Sequence, residues 1–297
     1  IRAVDIGGPG SFTGPMQLTN KAGLYIPLNG NWKYKLVAEI YQNNFYLYGI
    51  EKSNKEKSTT VVKIHPKLPS VLYNAMIHPL IPYTIKGAIW YQGEENVSRS
   101  EQYKRLFPAM IKDWRTKWND NFPFYFVQIA PFQYHGGDRS LDQSQKLREA
   151  QRHALKVKNT GMVVTLDIGN FNNIHPSNKQ DIGKRLAGLA LAKDYGKSLI
   201  SSGPLFKSLK VSESKIILEF DYAGSGLMTK GDLRGFEIAG SDENFVIANA
   251  KIVDNKVVLY ANTINKPMYA RYAWKDKAVP SLFNMEGLPA SSFTTHE

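Results

Sequence analysis

Cysteine is absent from this chain of 297 residues, and its absence excludes three kinds of chemistry. Without a thiol the protein has no disulfide, no thiolate ligand for a metal and no cysteine nucleophile. The sequence does not indicate the redox compartment, because a chain without cysteine is compatible with an oxidising or a reducing one. The six histidines show no spacing typical of metal ligands, so the sequence predicts no metal site.

Long apolar runs and acidic residues are also scarce. No stretch reaches the length of a membrane span, and none has the pattern of a signal peptide. Lysine and arginine (38) outnumber aspartate and glutamate (26), which gives a formal net charge of +12. The basic residues are scattered and are not interleaved with aromatic residues as in a nucleic-acid groove. We therefore predict no nucleic-acid partner, and a basic surface with some attraction for acidic glycans.

Three regions of the chain differ in their pattern, and the length favours two domains. Residues 1–35 hold strand-like segments between glycine- and proline-rich loops; a lone strand cannot bury its face, so a partner sheet is missing or supplied elsewhere. Within residues 36–200, strands and helices alternate from about residue 68 onwards, which predicts an α/β fold. Over residues 201–297 the period changes to two, which predicts a small β-rich domain.

Periodicity places the elements of the two later regions. The α/β region is predicted to contain strands at 86–91, 122–129 and 161–167. Its predicted helices cover 70–81, 144–156 and 177–195, and one more begins at Ser98 with an apolar face that reaches Trp114. Two of these helices begin at capping boxes, Ser98-Arg-Ser-Glu101 and Ser177-Asn-Lys-Gln180. The β-rich region is predicted to contain strands at 209–211, 215–220, 233–239, 245–252, 256–260 and 268–273. Asp254-Asn255 is a candidate hairpin turn.

His175 lies in the polar loop between the strand that ends near Asp167 and the helix predicted from Ser177. Loops at the carboxyl ends of strands carry function in α/β sheets, so this histidine is a candidate general base. The alternative is a loop histidine that hydrogen-bonds to the backbone. Position alone does not separate the two interpretations.

A second candidate group, Gln92-Gly93-Glu94-Glu95, follows the predicted strand 86–91. Gly93 permits a close approach of the backbone to a ligand, and the Gln92 amide is a donor that can stabilise an oxyanion. Glu94 and Glu95 also raise the alternative of a glycosidase. Adjacent residues on an extended segment point to opposite faces, which disfavours that alternative.

Four motifs in this order resemble the sialate O-acetylesterases, carbohydrate esterases of the SGNH-hydrolase superfamily. They are Leu72-Tyr-Asn-Ala-Met-Ile-His-Pro-Leu80, Gly87-Ala-Ile-Trp-Tyr-Gln-Gly-Glu94, Leu147-Arg-Glu-Ala-Gln151, and Asp167-Ile-Gly with Ile174-His-Pro-Ser-Asn-Lys179. The closing segment 282–293 is also similar. Segments 5–10 and 28–34 resemble the exit from a galactose-binding-like β-sandwich that is inserted in some members.

The resemblance implies an incomplete three-layer SGNH-type sheet over residues 36–200, after the remnant of a β-sandwich at 1–35. It implies that His175 is the catalytic base and that Gln92, beside Gly93, is an oxyanion-hole donor. Glu94 would support the substrate pocket or its hydrogen bonds. The expected reaction removes an O-acetyl group from a sugar through a serine acyl-enzyme, with no metal or organic cofactor.

Two departures from the family pattern bear on this expectation. The family's nucleophile lies in a Gly-Gln-Ser-Asn-Met block that does not occur here, and Ser11 and Ser225 lack the strand–turn–helix setting of a nucleophile. The upstream part of the protein is thus expected elsewhere: as a separate fragment, as disordered residues, or outside this sequence. Asn172 and Asn173 stand where related enzymes often have the aspartate that orients the histidine. Either Asp167 or a carbonyl orients His175 instead, or this copy of the enzyme is slow.

The sequence therefore predicts the carboxyl-terminal part of a carbohydrate O-acetylesterase with an O-acetylated sugar as substrate. The family resemblance implies a periplasmic or extracellular location. The alternative is a carbohydrate-binding or structural fragment without catalysis. Serine-reactive labelling of the natural protein separates the two.

Overall fold

The computed structural model describes residues 70–134 and 142–296, together with four short strands nearer the amino terminus. The chain divides into two compact units, Ile1–Pro79 and Leu80–Glu297. In the first unit, two antiparallel pairs are described: β1 (Gln17–Thr19) with β2 (Tyr25–Pro27), and β3 (Ala38–Tyr41) with β4 (Asn44–Leu47). The segments 5–10 and 28–34, with their resemblance to a β-sandwich, lie outside the described residues.

The predicted helix over residues 70–81 is irregular in the structure. A π-helical turn covers Tyr73–Ile77, and a 3₁₀ turn covers His78–Leu80. Leu72 and Met76, two of the residues at helical spacing, are more than 40% exposed. Pro79 has no amide hydrogen with which to continue an α-helix, so a regular helix cannot run through this point.

A parallel three-stranded sheet forms the centre of the second unit, in the order β5 (Ala88–Trp90), β6 (Phe124–Val127) and β7 (Thr160–Val163). Helix α1 (Ser100–Trp118) connects the first two strands, and α2 (Ser144–His153) connects β6 to β7. Helix α3 (Lys179–Lys193) follows β7. Within the described ranges no helix is both long enough and apolar enough to cross a bilayer.

Helices cover both faces of β6, because successive side chains of a strand point to opposite faces. Phe124 and Phe126 pack in the same core as Phe107 of α1. Tyr125 and Val127 pack with Ile182, Leu186 and Leu189 of α3. The predicted α/β architecture is confirmed at this level.

The β-rich region contains two four-stranded antiparallel sheets. The first has the order β13 (Asn249–Val253), β14 (Lys256–Tyr260), β9 (Lys215–Asp221), β8 (Leu205–Ser212). The second has the order β12 (Val246–Ile247), β11 (Phe236–Ala239), β15 (Tyr269–Tyr272), β17 (Phe293–Thr294), and β10 (Leu227–Thr229) pairs separately with β16 (Leu282–Asn284). Each of these sheets contributes buried residues, such as Leu218, Ile238 and Leu282, to the core that also contains Phe126.

The predicted hairpin turn at Asp254-Asn255 is confirmed. Both residues have positive φ angles, 47° and 60°, and the flanking pair Val253 and Lys256 is in antiparallel register. Two central residues with positive φ form the type of turn that matches the twist of the adjacent strands.

Helix α2 is held to the β-rich region by buried polar groups. Asp276 Oδ1 accepts hydrogen bonds from the backbone amides of Gln143 (3.1 Å) and Ser144 (2.8 Å), at the start of α2. The fully buried Arg148 donates to the Lys275 carbonyl (2.6 Å) and to Ser144 Oγ (2.9 Å). Burial lowers the pKa of Arg148 to about 10, partly offset by the charge of Asp276.

Both capping-box predictions are wrong in register. Helix α3 begins one residue after its cap Asn178, whose Oδ1 accepts from the Asp181 amide at 3.1 Å, so the cap pair is one residue later than Ser177. Before α1 a 3₁₀ helix covers Glu94–Arg99, so Ser98 already lies inside a helical turn and does not cap the helix.

One face of α1 is mostly apolar, as predicted, but one leucine of the predicted face is exposed and one arginine of the helix is buried. Leu106 is 57% exposed, whereas Arg115 is buried. The Arg115 guanidinium donates to three carbonyls, those of Phe122 (3.0 Å), Lys158 (2.8 Å) and Asn159 (2.7 Å). These bonds satisfy the charged group, which allows it to take a core position.

Candidate functional site

Gly93 turns the chain shortly after the end of β5, following Tyr91 and Gln92. Its φ is +154°, and a Cβ added there would lie 2.9 Å from Ile129 Cγ2 and 3.0 Å from Gln151 Nε2. No other residue fits this position without displacing its neighbours. The turn directs Gln92 and Glu94 to the carboxyl edge of the parallel sheet, where ligands bind in α/β folds.

The backbone of Gln92 is held by two side-chain donors. Its carbonyl accepts from Gln151 Nε2 at 3.2 Å and from the Tyr103 hydroxyl at 3.3 Å. Gln151 is itself fully buried, and its Oε1 accepts from the Ile129 amide at 2.9 Å. The Gln92 side chain donates one hydrogen bond to Asn96 Oδ1 at 2.7 Å, so its second amide hydrogen is available to a ligand.

The loop between β7 and α3 is organised by asparagine side chains. Asn170 Oδ1 accepts from the Asn172 amide, and Asn173 Oδ1 accepts from the His175 amide, each at 2.9 Å. Such side-chain-to-backbone bonds two residues apart form tight turns. They leave the His175 side chain exposed at the tip of the loop.

The structure brings the two sequence-predicted groups together. A cavity of about 310 Å³ is lined by Gln92 and Glu94 from the first loop and by His175 from the second. Tyr91, Ile174 and Lys179 complete its lining. Gly93, which lies between Gln92 and Glu94 in the chain, is not among the lining residues. An imidazole, a side-chain amide and a carboxylate therefore face one space large enough for a small ligand.

The electrostatics of this cavity are set by Glu94 and Lys179. Burial, reinforced by the negative charge of Glu94, raises the pKa of Tyr91 to about 12, so its hydroxyl stays protonated at neutral pH. Lys179 Nζ lies 4.9 Å from the centroid of the Tyr91 ring, within the range of a cation–π interaction. The cavity thus presents one positive and one negative group to a ligand.

The candidate histidine-orienting residues have other partners. Both oxygens of Asp167 bind the Arg185 guanidinium, at 2.7 and 2.6 Å. The Asn172 main-chain amide donates to Asn170 Oδ1, and Asn173 Oδ1 accepts from the His175 main-chain amide. In residues 70–134 and 142–296, no side chain hydrogen-bonds the imidazole of His175.

Ser225, one of the loop serines weighed as a nucleophile, lies in the β-rich region. Its hydroxyl donates to Glu286 Oε1 at 2.6 Å. Ser11 lies outside the described residues. Among the residues that the structure describes, no group of three or more metal-ligating side chains is found.

Sequence reasoning did not assign Gln151, Tyr103 or Lys179 to the site. A signal for Gln151 was present, since it is an amide on the buried face of α2 beside Leu147 and Ala150. No local pattern predicts that Tyr103 and Gln151 converge on one carbonyl, because that contact depends on how two helices pack.

Comparisons with known proteins show which proteins this chain resembles. Residues 59–192 match the family described as carbohydrate esterase, sialic acid-specific acetylesterase. The chain is 32% identical over 256 residues to sialate O-acetylesterase of Homo sapiens, and 33% identical over 211 residues to that of Mus musculus. These alignments cover 77% and 63% of this chain.

The structure is also similar to the crystal structure of a carbohydrate acetylesterase from Xanthomonas citri. The TM-score is 0.72 at 42% sequence identity, over 77% of this chain. The match covers 54% of the Xanthomonas chain, 49% of the human protein and 39% of the mouse protein. This chain thus spans about half the length of these relatives or less.

Proposed function

Since the chain belongs to the carbohydrate esterase family of sialic acid-specific acetylesterases, we propose that it forms part of an enzyme that hydrolyses O-acetyl esters on sugars. The observation that carries the proposal is the cavity in which Gln92, Glu94 and His175 meet. O-acetylated sialic acid is the substrate that the names of the relatives favour.

The open edge of the sheet supports an SGNH-type domain that extends beyond these strands. Strand β5 is an edge of the described sheet, and the Ile89 side chain is 70% exposed. Ile89 pairs with Tyr125, which α3 covers, so among the described residues this face is covered at β6 and exposed at β5. An uncovered β-branched residue on an edge strand fits further strands and helices from the upstream part, which would bring the nucleophile.

The proposed reaction uses His175 as the proton carrier. A serine of the upstream part attacks the acetyl carbonyl carbon while its proton passes to the imidazole of His175. The tetrahedral intermediate collapses, the bond to the sugar oxygen breaks, and His175 returns the proton to that oxygen. Water then attacks the acetyl-enzyme with the same proton carrier, which releases acetate and the free serine.

Gln92 is proposed to stabilise the negative oxygen of both tetrahedral intermediates. One of its amide hydrogens is held by Asn96, which fixes the side chain, and the second is free to donate to the oxyanion. Gly93 lets the backbone next to Gln92 pack closely against Gln151 and Ile129. Glu94 is proposed to accept a hydrogen bond from a sugar hydroxyl, because a carboxylate only accepts.

The orientation of the imidazole is proposed to come from the loop backbone. Asn173 fixes the His175 amide, whereas Asp167 is occupied by Arg185. A histidine fixed in this way acts without a carboxylate partner, which predicts a slower enzyme than one with a full triad.

The test is acetate release from O-acetylated sialic acid by this chain together with its upstream part. His175→Ala should lower kcat/KM by roughly 10²–10⁴-fold, the usual contribution of a general base. His296→Ala is the matched control, because His296 lies in the β-rich region beside Glu243 and should leave the rate within about twofold. A His175→Ala variant with more than a tenth of the wild-type rate would overturn the assignment.

Serine-reactive phosphonate labelling of the natural protein examines the nucleophile. An adduct on an upstream fragment, mapped by mass spectrometry, would support a working esterase whose base lies in this chain. Without any adduct and without acetate release, the chain is a carbohydrate-binding or structural fragment instead.

A further inference from the structure

A second cavity lies between α2 and the β-rich region. Its volume is about 530 Å³, within the range of roughly 300–1,000 Å³ found for small-molecule sites. Helix α2 contributes Gln145 and Lys146 to the lining, and strands β11 and β15 contribute Glu237 and Arg271. None of the lining residues also lines the cavity of the candidate active site. The proposed esterase chemistry therefore gives this second cavity no role.

A smaller cavity of about 300 Å³ continues the second one. Arg234, Gly235, Ala273 and Lys275 line both cavities. We call the two cavities together the basic groove. A ligand that extends along this groove would pass Arg234 and Lys275 over its whole length, so the shape suits an elongated ligand.

Cations predominate among the accessible side chains of the basic groove. Lys146 and Arg234 are exposed, and Lys275 is partly exposed. In the part of the chain that the structure describes, none of these three side chains forms an ion pair or a hydrogen bond. Their charges are therefore available to a ligand.

Both carboxylates of the lining already accept hydrogen bonds from the protein. Glu237 Oε2 accepts from Arg271 Nε at 2.6 Å, so these two opposite charges balance each other. Asp142 Oδ2 accepts from the Asp276 amide at 3.1 Å. The lining thus holds four cationic and two anionic side chains, an excess of positive charge that favours an anionic ligand.

Trp274 adds an aromatic surface beside these cations. Its side chain lines the basic groove and is only partly buried. The indole N–H makes no hydrogen bond to any described residue, and it is not among the buried polar atoms that lack a partner. A ligand in the groove can therefore reach this donor. The ring offers an apolar face and a polar N–H, and a saccharide presents C–H groups and hydroxyls to match them.

The loop that carries Trp274 is held by its main chain. The Ala273 amide donates to the Gly235 carbonyl at 2.9 Å, and the fully buried Arg148 donates to the Lys275 carbonyl at 2.6 Å. Ala273 has a φ of 50°, and such strained positions of residues with a Cβ cluster at functional sites. Because both neighbours of Trp274 are fixed, little conformational entropy of the loop is lost when a ligand binds.

We propose that the basic groove is a non-catalytic binding site for an acidic saccharide, in which Trp274 packs against a sugar ring and Arg234 and Lys275 bind a sugar carboxylate. This goes beyond the proposed function, because the groove would bind a glycan without contacting the reacting ester. The planar guanidinium of Arg234 matches the geometry of a carboxylate. The net charge of +12 would further attract acidic glycans to the chain.

The lining favours a saccharide over a nucleic acid. Single-stranded nucleic acids bind where several aromatic rings follow a positively charged path, with one base stacked on each ring. The described lining of the groove has one accessible aromatic ring, that of Trp274, because Phe236 is fully buried. One ring among several cations fits an acidic sugar and its neighbour better than a row of bases.

The test measures binding of 3′-sialyllactose and of lactose to this chain by isothermal titration calorimetry. Lactose lacks the acidic sugar and so reports the contribution of the carboxylate. The wild-type chain should bind 3′-sialyllactose at least about fivefold more tightly than lactose. Equal affinities, or no binding of 3′-sialyllactose at millimolar concentration, would overturn the proposal.

Two variants locate the binding in the basic groove. Trp274→Ala and Arg234→Gln should each weaken binding of 3′-sialyllactose by roughly 5–10-fold. The matched controls are Tyr195→Ala and Arg105→Gln, which change an exposed aromatic residue and an exposed arginine outside the groove and should leave the affinity unchanged. Equal losses in Arg234→Gln and Arg105→Gln would reveal only a general attraction by net charge and would contradict the site.

Thermal unfolding verifies that each variant folds, and the exposed Arg234→Gln decides if Trp274→Ala does not. His175→Ala should keep its affinity for 3′-sialyllactose. Loss of binding in His175→Ala, with full binding in Trp274→Ala, would place the sugar in the candidate active site instead. An oligothymidylate that binds more tightly than the sugar, and only when Trp274 is present, would assign the groove to nucleic acid and overturn the saccharide.

Acetate release separates this proposal from the proposed function. With the upstream part present, Trp274→Ala should keep kcat/KM for O-acetylated N-acetylneuraminic acid within about twofold of wild type, whereas His175→Ala should lose activity. Sugar binding in the groove without acetate release would reject only the esterase. Acetate release without sugar binding in the groove would reject only the second site.

Discussion

The Gln151 side-chain amide donates a hydrogen bond of 3.2 Å to the main-chain carbonyl of Gln92. It thereby connects α2 to the loop that follows β5, across 59 residues of sequence. The same side chain binds the Ile129 amide and the Val127 carbonyl at the end of β6. One glutamine therefore sets the spacing between two strand ends, and the position of Gln92 depends on it.

Replacement of Gln151 should disturb catalysis through Gln92. In Gln151→Leu, the Ile129 amide and the Val127 carbonyl are left buried and unpaired, which we expect to lower the free energy of unfolding by about 2–4 kcal/mol. We also expect kcat for acetate release to fall roughly tenfold with KM little changed, since the oxyanion donor is displaced.

Urea unfolding and steady-state kinetics measure these two effects. Gln180→Leu, an exposed glutamine on α3, is the control and should change neither quantity appreciably. An unaltered kcat in a folded Gln151→Leu enzyme would show that Gln151 does not position Gln92 for catalysis.

Gly93→Ala should destabilise the protein. The added Cβ would approach Ile129 and Gln151 to 2.9 and 3.0 Å at a φ of +154°, so both strain and overlap act against it. We expect a loss of about 1–3 kcal/mol in the free energy of unfolding.

The control for this substitution is Gly183→Ala in α3. A Cβ at Gly183 meets no atom within 4 Å. Alanine favours a helix by about 0.5–1 kcal/mol over glycine, so this variant should gain stability. Chemical denaturation of both variants gives the comparison, and equal effects would contradict the packing described for Gly93.

Asp167→Asn distinguishes a structural from a catalytic carboxylate. The carboxylate binds Arg185 with both oxygens, so we expect a loss of about 1–2 kcal/mol in stability from the charge-assisted bonds. We expect kcat/KM for acetate release to stay within about threefold of wild type. A decrease near 10⁴-fold, as for the loss of a triad aspartate, would instead make Asp167 the residue that orients His175.

The tyrosine beside Glu94 predicts a pH dependence at the alkaline end. The pKa of Tyr91 is raised from 10 to about 12, so between these values the folded state holds a proton that the unfolded state has lost. The stabilisation is therefore complete below pH 10 and is lost as the pH rises towards 12.

Nuclear magnetic resonance of ¹³C-labelled tyrosine, assigned with Tyr91→Phe, follows this titration. Glu94→Gln should lower the pKa of Tyr91 part of the way towards 10, because burial is the larger cause and remains. Glu95→Gln is the matched control at the adjacent, exposed carboxylate. An identical pKa of Tyr91 in Glu94→Gln would contradict their proximity in the cavity.

Much of the architecture follows from local sequence. The apolar run at β6 and the helical spacing of α2 predicted both elements, and the strand–loop–helix pattern put His175 in a loop. Both capping predictions failed by small shifts. At Ser98 a 3₁₀ turn precedes the helix, and next to Ser177 the Asn178 side chain caps the helix instead.

By itself, the sequence determined which residues lie at the carboxyl ends of the strands, since apolar periodicity and turn-forming residues act over a few neighbours. Only the tertiary structure decided that Gln92 and His175 share a cavity, that Asp167 binds Arg185, and that Asp276 caps α2. These contacts join segments far apart in the chain. They depend on how strands align and helices pack, which no local pattern encodes.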